Sequence, residues 1–224
     1  MNYAQWREKY VEGKKTAEAE KVNMEIHKDS KFTPVESELE SEKKARKNKE
    51  TSVNWDAVNF AEYRKKFDGI TGDKEVDSLI HQKALDILSH RNNTYFEDMY
   101  LIDTKSKKVV ASQTHSILSQ SVDYNEELTN ATSKYPSHSL ISIHNHPLSS
   151  PPSGSDIYSN AQRKYLKGVI PCHNGDVYVY SCKNKDLTHI KFDKNIDKWR
   201  GRGYNIIESF KKVCDEYSVK WRLL

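Results

Sequence analysis

Two histidines two residues apart, followed by a serine and an aspartate, are the residues of this 224-residue chain best suited to chemistry. They are His144, His146, Ser153 and Asp156, within Ile141-Ser142-Ile143-His144-Asn145-His146-Pro147-Leu148-Ser149-Ser150-Pro151-Pro152-Ser153-Gly154-Ser155-Asp156-Ile157. The stretch begins as an apolar strand, in which alternate side chains share a face. His144 and His146 can therefore present both imidazoles to one point while Asn145 faces the other way. Pro147 disfavours a helical conformation at His146 and keeps it extended. Two imidazoles and a later carboxylate form a good first shell for zinc, with a fourth position left for water.

Each half of the pattern has an ordinary reading. His-x-His occurs by chance on surface strands. Ser153-x-x-Asp156 fits a helix capping box, in which the serine satisfies an amide at the helix end, and this needs no metal. Together, a strand, His-x-His-Pro, a short loop and a Ser-x-x-Asp at a helix start bring all three ligands to one end of a sheet.

The elements that must position these residues follow from periodicity. Trp55, Val58, Ala61 and Phe67, with Phe60 and Tyr63, predict an amphipathic helix around residues 56–67, punctuated by Gly69 and Gly72. Val76, Leu79, Ile80, Ala84, Ile87 and Leu88 predict a second helix over residues 74–90. Met99 to Asp103 and Val109 to Ser112 read as strands around the turn Thr104 to Lys107. A short helix is expected over 124–133, a buried strand over Leu140 to Ile143, and a helix over Asp156 to Leu166. Gly168 to Cys172 and Asp176 to Ser181 read as a hairpin with Asn174-Gly175 as a two-residue turn, which sets Cys172 against Val177 and leaves His173 exposed. His189 to Phe192 reads as a last strand, and Ile206, Phe210, Val213, Cys214 and Tyr217 as a C-terminal amphipathic helix. The mixture predicts an α+β fold, a central mixed sheet sandwiched by helices.

Composition sets the limits around that domain. Apolar residues make up 36% and charged residues 30% of the chain, too polar for a packed core throughout. Residues 1–52 read as a charged helical or disordered arm. Tyr3, Trp6 and Tyr10 have helical spacing there, and a basic run, Lys43 to Lys49, follows the acidic residues Glu36, Glu38, Glu40 and Glu42. The expected organisation is this arm, a domain over 53–193, and a C-terminal amphipathic helix over 194–224 packing on it. The net charge of +4 does not demand nucleic acid. Trp199 to Tyr204 and Lys220-Trp221-Arg222 are basic and aromatic enough to stack on bases, but read better as tryptophans capping a core with solvated arginines, against a nucleic-acid partner. The polar N-terminus does not read as a signal peptide, and no apolar run approaches membrane-spanning length. The three cysteines, Cys172, Cys182 and Cys214, lack CxxC spacing and read as free thiols.

His144-Asn145-His146-Pro147 through Ser153 to Asp156-Ile157 resembles the metal motif of the JAMM (MPN+, JAB) metallopeptidase superfamily, most closely its bacterial RadC-like branch. The loop from Pro147 to Pro152 is one residue shorter than the family's usual one, a difference that a surface loop absorbs. The resemblance covers roughly residues 54–192. It implies a cytidine-deaminase-like sheet sandwiched by helices, zinc held by His144, His146 and Asp156, and a Ser153 hydroxyl that steadies the tetrahedral intermediate. It also implies a general-base glutamate at the start of the first core strand, which maps to Glu97, with Asp98 as the alternative. The implied activity is zinc-dependent hydrolysis of a peptide or isopeptide bond in a protein or peptide substrate. The opening segment Tyr3-Ala4-Gln5-Trp6-Arg7-Glu8-Lys9-Tyr10-Val11-Glu12-Gly13 resembles parts of phage and prophage minor head proteins. That second likeness implies phage head partners, in a bacterial host cytoplasm or a virion. The rival readings are a non-catalytic structural or binding module of a phage head protein and a nucleic-acid-binding accessory domain. His115 could approach the site, whereas His189 reads as a plain strand residue.

Overall fold

The computed structural model describes residues 49–224. Most of the expected N-terminal arm, with its basic run and its likeness to minor head proteins, lies outside the described residues. A 3₁₀ turn at Lys49–Thr51 comes first. Thr51 is fully buried, so packing begins before Val53, inside the expected arm.

The architecture is α+β, a six-stranded mixed sheet with helices on both faces. Helices α1 (Trp55–Val58), α2 (Ala61–Lys65) and α3 (Lys74–Arg91) precede the first hairpin, β1 (Met99–Asp103) and β2 (Lys108–Gln113). Then come α4 (Glu126–Lys134), β3 (Leu140–His144), α5 (Gly154–Gln162), β4 (Lys167–Pro171) and β5 (Val177–Ser181). Helices α6 (His189–Arg200) and α7 (Ile206–Tyr217) and strand β6 (Lys220–Leu223) end the chain. The strand order is β2-β1-β3-β4-β5-β6; β3 and β4 run parallel, and the other neighbouring strands among the described residues are antiparallel.

Alternation along β3 divides the core. Ile141 and Ile143 join Val76, Ile80, Ala84, Ile87 and Leu88 of α3 on one face of the sheet. On the other face Ile157 and Ala161 of α5, Phe192 and Ile196 of α6, and Phe210, Val213 and Cys214 of α7 pack against Ile170, Tyr178 and Tyr180. A smaller cluster seats Leu128 and Ala131 of α4 on Met99, Leu101 and Leu140.

The structure corrects several expectations. The helix expected over 56–67 is two helices, because Phe60 takes an extended conformation between them and stays 67% exposed. The break lets both Val58 and the Tyr63/Phe67 pair reach the core. The helix expected to reach Leu166 stops at Gln162, since Lys164 adopts a left-handed conformation that ends it. His189 to Phe192 is helix, not strand. Thr188 caps it through Lys191 N–H, and Phe192 and Ile196 recur at helical spacing on the core side. The domain boundary expected at 193/194 therefore falls within α6. Strand β6, which short length and basic residues disguise, pairs with β5 and sets Trp221 against Tyr180.

The β4–β5 hairpin is shifted by one residue. Pro171 pairs with Val177, and Cys172 N–H donates to Asp176 O at 2.8 Å. The loop is His173-Asn174-Gly175, with Gly175 at φ 94°, the three-residue type that needs a left-handed residue at its end. The three cysteines are free and buried, as expected.

His173 is consequently buried, at 1% exposure, rather than exposed. Its Nδ1–H donates to Thr51 O at 2.7 Å. Burial pushes its pKa down to about 4, with the nearby His146 adding to the effect and the Thr51 bond opposing it. A histidine buried neutral contributes stability above its unfolded pKa, about 6.5, and loses it as pH falls towards the folded value. Between pH 7 and pH 4.5 wild type should lose about 2–3 kcal/mol more stability than His173→Gln, measured by denaturant titration at each pH. Equal losses would show that the ring is not held neutral.

No helix among the described residues is long and apolar enough to cross a membrane.

Candidate metal centre

Register explains how residues distant in sequence reach one place. Strands β1 and β3 are antiparallel, with Met99 opposite His144. Continuing that ladder by two residues sets Asp98 against Asn145 and Glu97 against His146. Alternation then puts Glu97, Met99, His144 and His146 on the face towards α5, and Asp98 and Asn145 on the face towards α3.

The histidines converge as their spacing implies. Their Nε2 atoms lie 3.3 Å apart, and both residues are buried. The Asp156 carboxylate bridges them, Oδ1 at 3.2 Å from His144 Nε2 and Oδ2 at 3.3 Å from His146 Nε2. Glu97 is 5% exposed and offers a carboxylate oxygen within 4.8 Å of a nitrogen of each histidine. The shorter Pro147–Pro152 loop thus still delivers Asp156.

Helix α5 is what aims that aspartate. Ser153 is its N-cap, and the reciprocal capping box with Asp156 is complete. The Ser153 hydroxyl donates to Asp156 Oδ2 at 2.6 Å, so the cap also fixes the carboxylate. The helix start is pinned from outside by Asp193 of α6, which accepts Gly154 N–H at 2.9 Å. A Cβ on Gly154 would lie 2.6 Å from both Asp193 Oδ1 and His189 O, so only glycine allows α6 this close. Ser153→Ala is expected to cost about 1 kcal/mol of stability and to weaken zinc binding about 10–100-fold. Denaturant titration and competition with a chromophoric chelator measure the two effects, and unchanged zinc affinity would count against the orienting role.

The electrostatics suit a cation. Burial alone would push the Asp156 carboxyl up, but His144 and His146 hold it well below the usual carboxylate range. Burial likewise opposes charge on His146, yet the Asp156 hydrogen bond and the charges of Asp156 and Glu97 raise its pKa to about 9. The half-buried Asp156 and the buried Glu97 thus favour a proton on His146 where they could hold a dication. The tautomer fits as well. His146 Nδ1 lies 2.9 Å from Ser150 O and 3.1 Å from Ser150 Oγ, and in the tautomer whose Nδ1–H donates to that carbonyl Nε2 keeps its lone pair for a metal. His144 Nδ1 is buried and finds no partner among the described residues. The donor set, two imidazoles and an aspartate beside a glutamate, matches zinc by type and number. Cys172 does not join it. Burial raises its thiol pKa well above the ordinary value, with Asp176 and Glu97 adding to the shift.

Asp98 is occupied elsewhere. It pairs with the buried guanidinium of Arg91 through Nε and lies 2.6 Å from His90 Nδ1. Asn145, which has no obvious task in the sequence, clamps this segment. Its Oδ1 accepts Asp98 N–H at 2.9 Å, and its Nδ2 donates to Phe96 O at 3.2 Å and to His173 Nε2 at 3.2 Å. The backbone on both sides of Glu97 is thereby tied to the residue between the two histidines. The alternation of His144-Asn145-His146 gave the direction of Asn145 but not its partners. His115 is exposed and is not part of this cluster, and His189 opens α6 with its ring against Tyr158.

At the C-terminus Trp199 is flanked by Arg202 and Lys212, with ring-centroid distances of 4.7 and 4.6 Å, and donates to Glu216. Trp221 packs on Phe210 and Tyr178. Both tryptophans are thus engaged within the domain.

Comparison with sequence models of protein families, with characterised proteins and with solved structures finds no match. The functional reading therefore rests on the geometry of the site.

Proposed function

We propose that this chain is a zinc-dependent hydrolase of peptide or isopeptide bonds, of the JAMM type. The observation that carries the reading is the convergence of His144 Nε2, His146 Nε2 and the Asp156 carboxylate within 3.3 Å of one another, with Glu97 alongside. His144, His146 and Asp156 would hold the metal. Bound there, zinc would polarise a substrate carbonyl and bring the pKa of a coordinated water to about 7.

The remaining roles belong to the chain. Glu97 takes the proton from the attacking water and returns it to the leaving amine. Its place is set by the β1 register and by the Asn145 clamp, which hold it on the face of the histidines. Asp98 cannot share this work while it neutralises Arg91 on the opposite face. Ser153 holds Asp156 in the resting geometry. To donate to a developing oxyanion its hydroxyl must turn from that carboxylate, a contact worth about 3–4 kcal/mol in the transition state where it is made.

The substrate proposed is a protein or peptide, and the likeness of the opening segment supports an association with phage head proteins. A fluorogenic library of peptides and isopeptides tests the activity. Cleavage is expected with zinc, none with a chelator, and recovery on adding zinc back. Cleavage indifferent to the chelator would contradict a metal-dependent mechanism. A library left uncut by zinc-loaded protein would favour a non-catalytic role for the site.

A further inference from the structure

The donor cluster lies in the wall of a cavity of about 540 Å³ that continues well beyond it. That volume suits one or two amino-acid residues or a small organic ligand. The rest of the lining mixes serines and the charged Asp193 and Arg200 with an apolar and aromatic part, chiefly Tyr124, Tyr165, Tyr180, Ile196, Ile206 and Phe210. Ile206 and Phe210 are four residues apart on α7, so one helix face supplies both. Tyr124 and Tyr165 pair their hydroxyls at 3.1 Å, and Arg163 covers one face of the Tyr124 ring. Tyr180 lies across from Gly168 in the sheet, and a Cβ there would sit 2.1 Å from the tyrosine ring, so the bare glycine makes room for it.

Asn160 is among the polar lining residues. Asn160 is fully buried, and its Oδ1 accepts Cys182 N–H at 2.8 Å. Its Nδ2 has no acceptor among the described residues. A buried donor left without an acceptor is costly.

We infer that this cavity is a recognition pocket for a large apolar or aromatic residue next to the scissile bond, with its far wall supplied by the C-terminal helices α6 and α7. The inference rests on the proposed metal centre and names the substrate class that centre serves. It also gives the C-terminal segment a task, that of choosing the substrate side chain.

The test uses two probes that share a metal-binding group and a backbone and differ in one side chain: the hydroxamates of N-acetylglycine and N-acetylphenylalanine. Their dissociation constants are measured by calorimetry on the full zinc-loaded chain. The phenylalanine compound should bind about 10–100-fold more tightly, the gain from burying a phenyl side chain. Ile206→Asp, at the first turn of α7 where a carboxylate suits the helix dipole, should bring the ratio close to one. So should Ile206→Trp, which fills the space without adding charge. Equal affinities in wild type would overturn the pocket and leave the metal centre standing. Failure of both compounds to bind the loaded protein would overturn the metal centre, and the pocket with it.

Discussion

Glu97→Gln is expected to keep its zinc and lose hydrolysis by about 10²–10⁴-fold, the usual contribution of a positioned general base. The substitution preserves size and hydrogen bonding but removes the proton acceptor. His144, His146 and Asp156 remain, so metal content should match wild type. The loss should fall on kcat rather than on KM, because the missing interaction is made only in the transition state. A variant with undiminished turnover would place the base elsewhere while leaving the donor cluster intact. A variant that lost its zinc would make Glu97 a ligand, which its approach to both histidines makes a real alternative to test.

The second large effect is on stability and concerns the acid next door. Asp98→Asn should destabilise the fold by about 3–5 kcal/mol, because it removes the carboxylate that pairs with the buried guanidinium of Arg91. Arg91 is 1% exposed, and besides Asp98 its Nη2 reaches Thr114 O at 2.5 Å. Arg91→Met should cost a similar amount from the other side. The double variant Arg91→Met/Asp98→Asn should be less damaging than the sum of its parts, since both charges of the pair leave together. Denaturant titration of all three measures this. Single-variant losses below about 1 kcal/mol would mean that the pair behaves like a solvent-exposed one. The two experiments together separate Glu97 from Asp98, one reading catalysis and the other the frame that holds it.

That separation was within reach of the sequence. Once β1 and β3 are neighbours and antiparallel, residues two apart share a face, and only one of two consecutive acids can look at the histidines. What the sequence lacked was the register, which the structure supplies as Met99 opposite His144. The convergence of His144, His146 and Asp156 was legible because each step is local: strand alternation, a proline after the second histidine, and a capping box at a helix start. Helices with a sustained stripe were legible for the same reason, α3 and α7 above all.

The misreadings share a cause in long-range packing. His173 next to Asn-Gly looks like an exposed turn residue, and only contacts with Thr51 and Asn145, far away in sequence, bury it. His189-Ile190-Lys191-Phe192 alternates like a strand over four residues. The helical period shows only when Ile196 and the Thr188 cap are read with it. Strand β6 carries Lys220 and Arg222 on a sheet edge, where charge is common and core patterning is weak. The cavity wall was hidden for a related reason: Ile206 and Phe210 read as the core side of an amphipathic helix, and both do pack in the core.

The most direct test is metal content. Purified chain is stripped with chelator, reconstituted with zinc, freed of excess, and analysed for metal per chain, beside His146→Ala treated in the same way. Wild type should retain about one zinc per chain and His146→Ala essentially none, since a three-residue protein shell reduced to two does not make a tight site. Circular dichroism should show both chains folded, so that the difference reports the site. Wild type that retains no zinc after reconstitution, or His146→Ala that retains as much as wild type, would contradict a metal centre built on His144, His146 and Asp156.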